Sequence, residues 1–140
     1  MQDSYLLTTY RLEGLDLFKQ FKLRKHMKVL INNCYGGFGF SREFELQHRT
    51  LIEDAIGRHD VALIEAVESF GLIEASDQFA KLAIDNVPDG CEYHIAEYDG
   101  SEYIDDTWID ISMDELRNGL SEDRIELAMK CISIKINKSL

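Results

Sequence analysis

Residues 31–41 read INNCYGGFGFS, and several chemistries fit that order of residue types. An apolar run, a glycine turn and a helix start in succession can cradle an anion, because glycines let backbone amides approach a ligand and the helix N-terminus favours negative charge. Cys34 can act as a nucleophile if a base stands beside it, and His48, His59 and His94 are the candidates. Tyr35, Phe38 and Phe40 can form a ligand platform, an anchor for a partner or a lid on the core. A tight turn around a small buried cysteine accounts for the same residues. The stretch lacks the lysine of a G-x-x-x-x-G-K-[ST] loop and the third glycine of G-x-G-x-x-G, and no base lies between Lys28 and Arg42. As a ligand loop it comprises Asn32, Asn33, Cys34, Tyr35, Gly36, Gly37, Phe38 and Ser41.

A second set of chemically capable residues is acidic. The net charge is −11, and residues 1–28 hold six Lys or Arg against three Asp or Glu, so the other 112 residues carry −14. Between Asp85 and Asp123 thirteen acids face one base, Arg117. Such a surface repels nucleic acid, whose binding needs cations to replace its counterions, and attracts basic surfaces. The residues singled out for partner binding are Glu92, Glu97, Asp99, Glu102, Asp105, Asp106 and Asp110. Glu92, Glu97 and Glu102 can also pair across a hairpin as acid and base, or simply face water. No C-x-x-C or H-x-x-x-H spacing offers a metal site, and no catalytic residue, metal or cofactor is assigned.

These residues need elements to position them. At 140 residues with 45% hydrophobic content the chain is long enough to bury a core without disulfides. Cys34, Cys91 and Cys131 are odd in number and widely spaced, which suits reduced thiols in a cytosolic compartment. No apolar stretch reaches the roughly 18 residues of a membrane span, and the first residues lack a secretory pattern. Residues 12–24 place Leu12, Leu15, Phe18 and Leu23 at near-helical spacing with a basic end. MKVLIN (27–32) reads as a buried strand. Ser41 and Asp60 are N-cap candidates, TLIEDAIGRHD continues or restarts the first of these helices, and Gly71 ends the second. KLAIDNV, EYHIAEY and SEYID alternate, and Asp99-Gly100 marks a hairpin between the last two. DTWIDI adds a strand to this meander. Ser112 and Glu115 have capping-box spacing, Ser121 caps a further helix, and CISIKIN closes the chain as a half-buried strand. The expected fold is α+β, a mostly antiparallel sheet of about four to five strands with helices packed on it and an extra helix before it. The expected domains are a basic helical extension over 1–26 and a single α+β domain over 27–140.

From Met27 onward the sequence resembles a family of small, functionally uncharacterised proteins of tailed bacteriophages and large DNA viruses. The matching residues are Ile31, Asn32, Cys34, Tyr35, Gly36, Gly37, Phe38 and Ser41, then Asp60 with LIEAVESFG (63–71), then IAEYDGSEYI (95–104). Phe40 stands where the family usually has leucine, Val61 where proline is common, and the 26 residues before Met27 look like an addition. The resemblance implies a phage origin and the cytoplasm of an infected bacterium, and it supplies no activity. The resulting expectation is a non-catalytic accessory protein that inhibits a host or defence protein through an acidic, nucleic-acid-mimicking face. The alternative is a small-ligand or nucleotide binder, an enzyme included, using the CYGGFG loop. No direct nucleic-acid or membrane contact is expected, and the N-terminal helix is a candidate for self-assembly.

Overall fold

The computed structural model describes residues 17–137, and within them the chain divides into two compact units. One unit takes residues 26–87 and 94–105; the other takes the chain up to Lys25, residues 88–93 and the chain from Asp106 on. The expected 27–140 domain is thus distributed over both. The start of the expected N-terminal helix, with Leu12 and Leu15, lies outside the described residues.

In the 26–87/94–105 unit, strand β1 (His26–Asn32) buries its last four residues and pairs with β2 (Leu82–Pro88). Between them run four short helices: α2 (Arg42–Gln47), α3 (Arg49–Asp54), α4 (Val61–Phe70) and α5 (Leu72–Ala75). The caps fall where the residue types demand. Ser41 Oγ accepts the Phe44 N–H and Asp60 accepts that of Leu63, each satisfying a donor that a first helical turn leaves open. Gly71, at φ 106°, supplies the conformation that lets the chain turn from α4 into α5. Leu30, Phe44, Leu63, Ile64, Val67, Ala75 and Leu82 form the core, with Phe38, Phe40 and Phe70 packed against it. The hairpin of β3 (His94–Tyr98) and β4 (Ser101–Asp105) is antiparallel, with Tyr98 opposite Ser101. Asp99 and Gly100 both have positive φ, the two-residue turn that matches strand twist.

The other unit contains α1 (Leu17–Lys22), β5 (Trp108–Ser112), α6 (Met113–Asn118), α7 (Glu122–Lys130) and β6 (Ser133–Asn137). The Ser112–Glu115 capping box and the Ser121 cap form as their spacing predicts. Its core joins Leu17 to Ile109, Ile111, Leu116, Leu120, Ala128 and Cys131.

The α+β class holds, but the single sheet of four to five strands does not. The described residues form three two-stranded pairs, β1–β2, β3–β4 and β5–β6. β5 is not the next strand of a meander: it pairs with β6 in parallel, with Trp108 opposite Ser133 and Ile111 opposite Ile136. The two capped helices between them supply the long crossover that a parallel pair requires.

Candidate functional site

Asn32 ends β1 fully buried, and both ends of its side-chain amide are engaged. Nδ2 donates to the carbonyls of Cys34 and Gly100, at 2.9 and 2.8 Å. Oδ1 accepts the Lys81 N–H at 2.7 Å and lies 3.5 Å from Cys34 Sγ. One buried amide therefore ties the glycine loop to the hairpin turn and to the chain entering β2. An amide can do this because it carries two donors and an acceptor with two lone pairs.

The backbone N–H of Asn32 donates to Glu102 Oε1 at 2.8 Å, and the Arg58 guanidinium grips both Glu102 oxygens at 2.8 and 3.0 Å. Arg58 also donates to the Leu30 carbonyl and lies 3.6 Å over the Phe38 ring. The Glu102 side chain is only 9% exposed. Burial by itself pushes its carboxyl up. The Arg58 hydrogen bonds, the Asn32 N–H and the Arg58 charge outweigh burial and hold it below the usual range.

The glycines of the loop make close approaches to the chain's own backbone. A Cβ on Gly36 would collide with the Phe79 carbonyl. One on Gly100 would come within 2.7 Å of the Tyr35 carbonyl and 2.8 Å of the Gly37 nitrogen. Gly37, at φ 94°, meets nothing nearby and is needed for its conformation alone. Cys34 Sγ donates to the Phe79 carbonyl at 3.2 Å. Of the candidate bases, His48 lies against the rings of Phe44 and Phe70, and His94 is exposed on β3. Phe38 and Phe40 meet edge to face and Phe40 stacks on Phe44, so these two rings close the core, while Tyr35 stays exposed. Asn33 faces solvent and its N–H donates to the Lys81 carbonyl; Ser41 is occupied as the α2 cap. The ligand-loop residues thus lie together, and the side-chain polar atoms of Asn32, Cys34 and Ser41 are bonded within the chain.

No family model matches the chain, and no curated protein or solved structure does.

The acidic residues divide differently. Glu97, Asp99 and Asp105 are exposed on the β3–β4 hairpin, whereas Glu92, Asp106 and Asp110 are exposed in the other unit. Glu102, expected on the acidic face, turns inward to Arg58. Glu97 and Glu102 stand directly opposite in the register, but that arginine already holds one of the two as a carboxylate. Asp106 accepts the Ser133 hydroxyl at 3.2 Å from each oxygen. Among the described residues no group of three His, Cys, Asp or Glu is placed to hold a metal, and no helix is long and apolar enough to cross a membrane. A surface cavity of about 310 Å³ is lined by Glu45, Arg49, Ile52 and Glu53, none of them a predicted site residue.

Sequence reasoning missed Arg58 and Phe79. Arg58 follows a glycine in a loop and shows no pattern of its own. Phe79 contributes its carbonyl, an atom every residue possesses, so no residue-type signal marks it.

Proposed function

We propose that the chain is a non-catalytic binding protein whose acidic surface docks on a basic surface of a partner, of the kind that otherwise holds nucleic acid. The observation that carries this reading is the run of thirteen acids against one base between Asp85 and Asp123. Exposure of Glu92, Glu97, Asp99, Asp105, Asp106 and Asp110 supports it, because solvated carboxylates steer association with a cationic face. Following the phage-family resemblance, the proposed partner is a host or defence protein in the cytoplasm of an infected bacterium, and its inhibition is the outcome. The loop atoms favour this reading over a ligand site, since Asn32, Cys34 and Gly36 are engaged within the chain.

The test is capture of bacterial proteins on the immobilised chain at low and high salt, with duplex DNA as competitor. The expected result is a basic protein that is released both by salt and by DNA. A variant carrying Glu92→Lys, Glu97→Lys and Asp105→Lys should lose it while keeping its melting temperature; Glu102 is left intact because Arg58 needs it. Capture that ignores salt, or that survives the triple variant, overturns the proposal.

A further inference from the structure

The hairpin has two unlike faces, and its register assigns them. Ile95 and Ile104 stand opposite each other on the face that also carries Glu102, and that face is turned inward to Arg58 and the Asn32 backbone. Strand alternation then places His94, Tyr98, Tyr103 and Asp105 on the opposite face. Tyr98 is 73% exposed and Tyr103 53%. Tyr98 pairs with Ser101 and Tyr103 with Ala96, so the two rings are diagonal neighbours, a spacing that aromatic side chains can bridge.

Residues 94–105 contain four acids and no Lys or Arg. One acid, Glu102, is neutralised from within by Arg58. Of the three exposed acids, Asp105 shares the tyrosine face and Asp99 stands in the turn next to Tyr98, while Glu97 lies on the Glu102 face. Carboxylates alone draw any cation. Carboxylates beside exposed aromatic faces select a cation that is planar, weakly hydrated and able to stack, which is guanidinium rather than ammonium. The same unit already uses that combination, with Arg58 lying over Phe38 while its fork binds Glu102.

We infer that the Tyr98–Tyr103 face of the hairpin is a docking surface for an arginine-bearing segment of a partner protein. This inference rests on the acidic-surface reading and specifies its partner chemistry. The guanidinium stacks on a tyrosine ring while its N–H groups donate to Asp99 or Asp105.

The experiment uses the full chain and two labelled peptides of equal charge, one alternating arginine with alanine and one alternating lysine with alanine. Fluorescence anisotropy at low salt should give about fivefold tighter binding for the arginine peptide. Tyr98→Ala with Tyr103→Ala should abolish that preference and leave salt-dependent binding of both peptides. Tyr98→Phe with Tyr103→Phe, which keeps the ring faces, should retain it, and circular dichroism checks that each variant is folded. Equal binding of the two peptides, or a preference that survives the double alanine variant, overturns the inference and leaves the acidic reading standing. Failure of both peptides to bind counts against the inference and the acidic reading together.

Discussion

Each compact unit has an arginine that lies over a phenylalanine ring and bonds to distant parts of its unit, and the two arginines work differently. Arg58 lies over Phe38, grips the Glu102 carboxylate with two bonds and reaches the Leu30 carbonyl. Arg24 lies 3.7 Å over Phe21, but its other partners are carbonyls: Met129 and Cys131 at 2.8 Å and Ile132 at 3.3 Å. These lie where α7 ends and the chain enters β6, so Arg24 supplies the cation that the negative end of a helix favours. Burial lowers the Arg24 pKa, and Cys91 and Cys131 act on it more weakly in the opposite sense. The contrast is between a charge neutralised by a countercharge and a charge solvated by backbone dipoles. The first fails badly when one partner is lost; the second degrades gradually.

That difference orders the expected effects. Arg58→Ala should cost the most, about 4 kcal/mol by denaturant titration, because it leaves Glu102 as an inward carboxylate without its countercharge. Arg58→Lys should recover only part of this, since an ammonium cannot reproduce the paired fork bonds. A loss below about 1 kcal/mol would mean that Glu102 is solvated despite its placement. Arg24→Ala should cost less, about 2 kcal/mol, because it leaves part-buried neutral carbonyls rather than an unpaired charge. If Arg24→Ala proves the more damaging of the two, the contrast drawn here is reversed.

The smallest effect is a pH dependence. The Glu102 carboxyl is held below its usual range in the folded chain, so the unfolded chain takes up its proton first as pH falls. Stability from the Arg58 pair is therefore complete above the ordinary carboxylate pKa and is lost as pH drops through the depressed value. Glu102→Gln should flatten this acid limb in melting curves recorded below about pH 5. Arg24 contributes no such limb. Burial pushes the Cys91 and Cys131 thiols up, which places their effect at the alkaline end, where the unfolded chain loses its protons first. An acid limb unchanged by Glu102→Gln would assign it to other carboxylates, with Glu115, held down by its hydrogen bonds to Arg124, as the next to test.

What was legible in the sequence was local. Ser41, Asp60, Ser112 and Ser121 cap helices because a small oxygen-bearing side chain can reach an N–H two or three residues on. Asp99-Gly100 forms the hairpin turn because those two residues tolerate positive φ. The alternation in residues 101–105 and 133–137 became strands for the same local reason. Pairing was not legible. An alternating strand shows which of its faces is apolar but not which neighbour it joins, so one expected sheet became three pairs, and β5 found β6 across two helices.

The amino-acid sequence by itself determined the charge, the caps, the turn and the alternation, because each is a property of a residue and its near neighbours. Only the tertiary structure decided that Glu102 is an internal counterion while Tyr98 and Tyr103 face water. It also decided that CYGGFG closes on Phe79 and Gly100. Arg58 and Glu102 are 44 residues apart, and Asn32 and Gly100 are 68 apart. Contacts over such separations depend on how the elements pack, which no window of the sequence contains.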